Sequence, residues 1–183
     1  NKERFIKRRD RLLGPNGSFV GDYDPKEAKY YWEYKVVRAN VEGVEYLAYA
    51  TKLTESKLIH VSTDYIFDGT AAPYVEDDRP HPLGYYGKSK LAGENALVAS
   101  GANYAIARTM VLYGTARTAR LNFVTWVIDQ LQQGNEIRIV DDPFGNTTLA
   151  SDLAGALIHI AERGLEGVYH AAGRGIVDRF TFT

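Results

Sequence analysis

The sequence has no cysteine among its 183 residues, which excludes disulfides, thiolate catalysis and cysteine-ligated metals. It also lacks any apolar run near the ~18 residues of a membrane span and any charged-then-apolar leader. Its formal net charge is only −1, so no excess of one charge points to nucleic acid or to an anionic membrane. We therefore expect a cytoplasmic protein that binds neither nucleic acid nor membrane.

Metal-ligand spacing is missing as well. Without cysteine, a zinc site would have to be built from histidines and carboxylates. The histidines are scattered and show no spacing typical of zinc ligands; they are His60, His81, His159 and His170. We predict no metal site.

What the sequence does contain is an alternation of helix and strand patterns. Apolar residues recur at three- and four-residue steps in 32–51, as in an amphipathic helix. Helices are predicted at 32–51, 85–100, 122–133 and from Ser151 or Asp152 to 163, strands at 57–62, 104–113, 137–140 and 168–171, a turn at 24–25 and a long loop at 68–84. Because helices alternate with continuously apolar strands, we predict an α/β fold whose parallel sheet carries helices on both faces.

The residues that carry chemistry begin with Tyr86 and Lys90. They stand four apart in a predicted helix, so their side chains share one face about one turn apart. An ammonium beside a phenol lowers the pKa of the phenol from about 10 toward neutrality. Thr63, at the end of a predicted strand, adds a hydroxyl for the same substrate oxygen. This combination suits carbonyl reduction, so we favour an enzyme.

Short motifs follow one another in an unbroken order. The run 62–69 (Ser-Thr-Asp-Tyr-Ile-Phe-Asp-Gly) precedes Tyr86-Gly87-Lys88-Ser89-Lys90, and Arg108-Thr109 and 167–173 come after it. Over about 35–183 the chain resembles the extended short-chain dehydrogenase/reductase family, above all its reductases of nucleotide-linked 4-keto-deoxysugars. The resemblance implies a Rossmann-like sheet with a small substrate lobe, NADP or NAD as cofactor, and a nucleotide sugar as substrate. We expect one reductase domain over 1–183, with 115–150 and 174–183 contributing to the substrate lobe.

The resemblance also implies roles for single residues. Tyr86 would donate the proton to the carbonyl oxygen, and Thr63 would polarise that carbonyl by a hydrogen bond. Lys90 would tune Tyr86 and hold the ribose hydroxyls of the nicotinamide, and Ser62 and Tyr86 would also contact the cofactor. The remaining substrate-binding candidates are Asp64 and Tyr65, which either line the sugar pocket or close the strand end, and Val111, in a stretch where rhamnose-pathway reductases often carry a tryptophan. Another deoxysugar nucleotide is therefore an alternative substrate.

Three further residues have expected partners. Glu94 lies four residues after Lys90, which predicts an ion pair between them at the surface. Arg108 ends a strand, and we predict that it makes a structural pairing. Asn40 either orients the catalytic strand or a water, or it is an amide on a helix surface.

The glycine-rich cofactor turn is where the chain departs from the family. The glycines of 14–21 are spaced Gly-x-x-Gly-x-x-x-Gly, one residue longer than the family's Gly-x-x-Gly-x-x-Gly. The preceding run 7–13 is too charged for a buried parallel strand. We predict a surface loop here and expect that the N-terminal part of the domain is incomplete.

Two alternatives to a reductase stay open. An epimerase or dehydratase could use the same frame, and a dehydratase would need a carboxylate pair near the tyrosine, for which Asp64 and Glu76 are the candidates. A non-catalytic regulatory subunit could keep the fold without the cofactor site. A homodimer is a further expectation.

Overall fold

The computed structural model describes residues 25–115, 122–140 and 144–182, and helices alternate with strands through them. The helices are α1 (Pro25–Val37), α2 (Gly43–Leu53), α3 (Tyr85–Ser100), α4 (Phe123–Gln132) and α5 (Ala150–Glu162). The strands are β1 (Leu58–Thr63), β2 (Tyr104–Thr109), β3 (Leu112–Tyr113), β4 (Phe144–Gly145), β5 (Thr148–Leu149), β6 (Gly167–His170) and β7 (Val177–Asp178). The predicted α/β class is confirmed. The glycines of 14–21 lie outside the described residues.

A parallel sheet in the order β1–β2–β6 forms the centre of the fold. Its register pairs Thr63 with Thr109 and Arg108 with His170. Because the strands are parallel, their carboxyl ends meet at one edge of the sheet, where α/β proteins bind ligands. Two smaller pairs, β3 with β5 and β4 with β7, lie outside this sheet.

Helices cover both faces of the central strand β2. On one face, Ile106 packs into a buried cluster with residues of α2 and α3, whose members are Val44, Ala48, Leu97, Ala102 and Ile106. Side chains alternate along a strand, so Ala105 and Ala107 lie on the other face, where both are fully buried and where α5 contacts β2. The predicted arrangement of helices on both faces is therefore confirmed.

The first helical stretch is longer than predicted. It begins at Pro25, and a π-helical segment, Arg38–Glu42, joins α1 to α2. The predicted start at Trp32 is wrong because proline, which lacks an N–H, is well suited to the first turn of a helix. Of the predicted turn at 24–25, Pro25 belongs to this helix and Asp24 lies outside the described residues. Gly93 of α3 packs against this segment so closely that a Cβ there would lie 2.0 Å from the carbonyl oxygen of Asn40.

Three other local predictions are corrected. The strand predicted to reach 113 stops at Thr109, because Val111 has a φ of +25° that turns the backbone out of the sheet. Residues 137–140 form no strand; their apolar alternation has no strand to pair with among the described residues. Helix α5 begins at Ala150, and its N-cap residue is Leu149, whose side chain makes no capping hydrogen bond. Ser151 and Asp152 therefore lie in the first turn and do not cap the helix.

The domain limits of 1–183 and the substrate lobe at 115–150 and 174–183 stay predictions. Within the described ranges, no helix has both the length and the apolar character needed to cross a membrane.

Candidate active site

Thr63 stands at the carboxyl end of β1 and organises the turn that follows. Its Oγ1 accepts a hydrogen bond from the backbone N–H of Tyr65 at 3.3 Å, which caps the short 3₁₀ turn Asp64–Ile66. The same hydroxyl donates to Oδ1 of Asp64 at 3.1 Å. The sequence Thr-Asp-Tyr therefore folds back at the strand end and holds three of the predicted site residues together, as ST and Asx turns do.

Tyr86 reaches this strand end from the first turn of α3. Gly87 permits the approach, because a Cβ there would lie 2.0 Å from the carbonyl oxygen of Tyr65. The rings of Tyr65 and Tyr86 meet edge to face, with centroids 6.0 Å apart. The Tyr86 ring therefore packs against Tyr65, whose backbone N–H donates to the Thr63 hydroxyl. The structure thus brings Tyr86 to the strand end that carries Thr63.

The pKa of Tyr86 differs from the prediction. Burial raises the pKa of the Tyr86 phenol, the negative charge of Asp64 raises it further, and the hydrogen bond with Thr63 opposes both effects. The expected lowering by Lys90 is wrong because the Lys90 ammonium is directed to other acceptors. A phenol with a raised pKa keeps its proton at neutral pH, which is the state that a proton donor requires.

Lys90 is anchored to strand β1. Its side chain is almost fully buried, and its Nζ donates to the carbonyl oxygen of Val61 at 2.7 Å. The Nε2 atom of His60 lies 3.4 Å from the same nitrogen. Burial, followed by the charge of Lys90, lowers the pKa of His60 to about 4, so its neutral ring can accept from the ammonium. Burial also lowers the pKa of Lys90.

Glu94 does not pair with Lys90 at the surface, and that prediction is wrong. Its carboxylate is 3% exposed and binds Arg108, which is 6% exposed, with Nη2 of Arg108 at 2.9 Å from Oε2 of Glu94. The planar guanidinium matches a carboxylate better than an ammonium does. The predicted structural pairing of Arg108 is confirmed.

Asn40 supports the catalytic helix from the π-helical segment. Its Nδ2 donates to Oγ of Ser89 at 3.0 Å, and that hydroxyl donates to the carbonyl oxygen of Tyr86 at 2.7 Å. The sequence left Asn40 either to orient the catalytic strand or a water, or to lie on a helix surface. The structure instead places its amide against the catalytic helix. Such π-helical segments often occur beside functional sites.

Buried hydroxyls without partners mark the same edge of the sheet. Ser62 Oγ and Thr109 Oγ1 have no hydrogen-bond partner within the described part of the chain. Leaving such groups unpaired is costly, and a ligand with hydroxyl or amide groups would satisfy them. Val111, just beyond Thr109, carries its positive φ on a β-branched residue, the kind of strain that occurs at ligand sites. These residues fit a nucleotide cofactor at the sheet edge.

His60 is the residue that sequence reasoning missed at this site. The sequence raises it only as a metal ligand, and no group of three or more metal-binding side chains occurs among the described residues. The strand period of two was the available signal, since positions 60 and 62 share a face. Glu76 and His170 also meet at the end of β6, and no spacing or motif in the sequence predicts this contact.

A hydroxyl pair and an anchored lysine at the carboxyl edge of a parallel α/β sheet define a Rossmann-like protein of the short-chain dehydrogenase/reductase class. Comparison with known proteins gives the particular family. The profile described as RmlD substrate binding domain matches residues 18–183, so the chain belongs to that family.

Two relatives and one solved structure illustrate the similarity. The chain is 39% identical over 185 residues to dTDP-4-dehydrorhamnose reductase of Mycobacterium tuberculosis (strain CDC 1551 / Oshkosh), covering 97% of this chain and 58% of the relative. It is 35% identical over 150 residues to methionine adenosyltransferase 2 subunit beta of Xenopus tropicalis, covering 79% of this chain and 45% of that protein. The structure of dTDP-4-dehydrorhamnose reductase from Bacillus anthracis in complex with NADP matches with a TM-score of 0.74 and 28% identity, over 97% of this chain and 74% of that one. The chain thus spans little more than half the length of the mycobacterial relative.

Proposed function

We propose that this chain carries out the NAD(P)H-dependent reduction of a nucleotide-linked 4-keto-deoxysugar, as a dTDP-4-dehydrorhamnose reductase does in dTDP-rhamnose biosynthesis. The observation that carries the proposal is the packing of Tyr86 against the turn that Thr63 caps, with Lys90 anchored to the same strand one helical turn away. A phenol and a hydroxyl at one strand end suit a carbonyl oxygen that gains negative charge. The mycobacterial relative, a dTDP-4-dehydrorhamnose reductase, supports the substrate class.

Each residue has a separate task in this proposal. Tyr86 holds a proton on its phenol oxygen and gives it to the carbonyl oxygen. Thr63 turns its hydroxyl hydrogen, which points to Asp64 Oδ1 in this structure, to the same carbonyl oxygen when the sugar binds. Lys90 and Ser62 hold the cofactor, which, when bound as NADPH or NADH, supplies the hydride. Asp64, Tyr65 and Val111 contact the sugar.

The cofactor proposal rests on this chain's own groups. Ser62 offers a buried hydroxyl without a partner, and Lys90 offers an ammonium at the edge where nucleotides bind in such sheets. The Bacillus anthracis structure that resembles this chain is a complex with NADP, which supports the same class of cofactor here. NADP or NAD is therefore proposed, with a nucleotide sugar as the partner molecule.

A dehydratase is disfavoured by the position of its candidate carboxylates. Asp64 lies beside Tyr86, but the Glu76 carboxylate accepts a hydrogen bond from the backbone N–H of His170 at 2.8 Å. The two carboxylates therefore serve different contacts and do not form an acid/base pair. A relative named as the beta subunit of another enzyme supports a non-catalytic subunit as the second candidate. A cytoplasmic location and a homodimer stay predictions from the sequence.

A cofactor titration separates these candidates. NADPH and NADH are added to the full-length protein while intrinsic fluorescence is followed, first in the wild type and then in Lys90→Met. Lys88→Met is the matched control, because Lys88 is exposed on the same helix. We expect saturable binding that Lys90→Met weakens about tenfold or more, in line with a lost charge-assisted hydrogen bond, and that Lys88→Met leaves unchanged. Wild-type protein that binds neither nucleotide would favour the regulatory subunit.

A further inference from the structure

The loop between Phe67 and Gly84 connects the two halves of the proposed site. It begins directly after the turn that carries Asp64 and Tyr65, and Gly84 is the residue that caps α3 just before Tyr86. Both ends of the loop are therefore attached to site residues. Whatever fixes its middle also limits how the two ends move relative to each other.

The loop is organised by its own side chains. Asp68 Oδ1 accepts from the backbone N–H of Thr70 at 2.9 Å and from the hydroxyl of Tyr74 at 2.7 Å. Its Oδ2 lies 2.8 Å from Nδ1 of His81. The ring of Phe67 stacks on Tyr74, with centroids 4.3 Å apart and planes 7° apart. A single carboxylate and one stacked pair thus give this long loop a defined shape.

Glu76 attaches the middle of the loop to the sheet by two contacts, which we call the loop clasp. Its backbone carbonyl oxygen accepts from Nη1 of Arg108 on β2 at 3.0 Å. Its Oε1 accepts from the backbone N–H of His170 on β6 at 2.8 Å, and this hydrogen bond is the main reason that the pKa of Glu76 is lowered. Arg108 and His170 are register partners on neighbouring strands, so one loop residue bridges two strand ends.

The clasp also reaches the catalytic helix. The guanidinium of Arg108 that holds the Glu76 carbonyl binds Glu94 of α3 through Nε and Nη2, and it lies 5.5 Å from the ring centre of Phe67. Glu94 stands one turn beyond Lys90. Loop, sheet and catalytic helix therefore share one buried cation.

From these contacts we propose that Glu76 is a positioning residue, which holds the 67–84 loop as a preformed wall of the nucleotide-sugar site. The proposal rests on the proposed reductase function for the identity of the ligand. A wall that is already ordered does not have to be ordered on binding, so the affinity for the sugar is retained. Glu76 would act through the loop and would not touch the reacting atoms.

Hydrogen exchange tests the clasp without any ligand. In Glu76→Ala, the His170 amide and the amides of 67–84 should exchange about two- to tenfold faster, the effect of one lost hydrogen bond, while β1 and α3 keep their protection. Glu76→Gln retains an acceptor oxygen and should stay within about twofold of the wild type. Asp77→Ala is the matched control, because Asp77 is the neighbouring exposed carboxylate. Exchange in Glu76→Ala that equals the wild type would overturn the proposal.

Steady-state kinetics tests the link to the sugar site. With dTDP-4-dehydrorhamnose and NADPH, Glu76→Ala should raise KM for the sugar nucleotide about two- to tenfold and leave KM for NADPH unchanged, while Glu76→Gln recovers most of the loss. Faster exchange with an unchanged sugar KM would overturn the role as a wall of that site. Failure of the reductase proposal looks different, because the wild type itself would then turn over no sugar nucleotide while the exchange result still reports on the clasp.

Discussion

The negative charge of Asp64 raises the pKa of the Tyr86 phenol. The Thr63 hydroxyl fixes the Asp64 carboxylate in this position by donating a hydrogen bond to its Oδ1 at 3.1 Å. Burial raises the pKa of the Asp64 carboxyl too. The proposed proton donor is therefore kept protonated by its neighbours, and one of them can be changed without altering Tyr86 itself.

Replacing Asp64 by asparagine should move the alkaline limb of the pH–rate profile to lower pH. Reduction requires the protonated phenol, which is present below its pKa and lost above it. Removing a nearby negative charge lowers that pKa, so activity should fall at a lower pH than in the wild type. Asparagine keeps an acceptor for Thr63. The kcat is measured across the alkaline range, with Asp77→Asn as control. A limb that stays in place or moves to higher pH would contradict the account.

The buried pair of Glu94 and Arg108 should make Arg108→Met strongly destabilising. The substitution leaves a carboxylate that is 3% exposed without its cation, a change that typically costs about 3–5 kcal/mol. The double variant Glu94→Leu/Arg108→Met should lose less than the single variant, since it leaves no unpaired charge. Urea unfolding measures both. Lys29→Met is the control, because Lys29 pairs with Glu33 while 74% exposed and should change stability by less than about 1 kcal/mol. Equal losses for Lys29→Met and Arg108→Met would refute this account.

Gly93 and Gly155 should respond to alanine in opposite directions. A Cβ at Gly93 would lie 2.0 Å from the carbonyl oxygen of Asn40, whereas nothing lies within 4 Å of one at Gly155. Gly93→Ala must push α3 away from the π-helical segment, so we expect a loss of about 1–3 kcal/mol. Gly155→Ala in the interior of α5 should gain about 0.5–1 kcal/mol. Thermal unfolding checks both, and a neutral Gly93→Ala would mean that the helices are not in close contact.

Local patterns were sufficient for much of the fold and for the centre of the site. Helix α3 was predicted with the bounds that the structure has, 85–100, because its apolar period and terminal glycines are local signals. Placing Thr63 at the end of a strand also depended only on neighbouring residues. The spacing of Tyr86 and Lys90 therefore gave the correct helix face.

Partner choice could not be predicted, because it depends on residues distant in sequence. Four-residue spacing indicates that Glu94 binds Lys90, whereas the packing of α3 on the sheet brings Arg108 to Glu94 and Val61 to Lys90. The effect of Lys90 on Tyr86 was mispredicted for the same reason. Glu76 and His170 are 94 residues apart, and no helix or strand period relates them.

The most direct test of the proposed reductase is NADPH oxidation with dTDP-4-dehydrorhamnose by the wild type, Tyr86→Phe and Tyr85→Phe. Tyr85 is the matched control, because it is the preceding residue on α3 and is 38% exposed against 40% for Tyr86. The account predicts turnover by the wild type and by Tyr85→Phe, and a loss of about 100-fold or more in Tyr86→Phe at unchanged thermal stability. Turnover by Tyr86→Phe at the wild-type rate would contradict it.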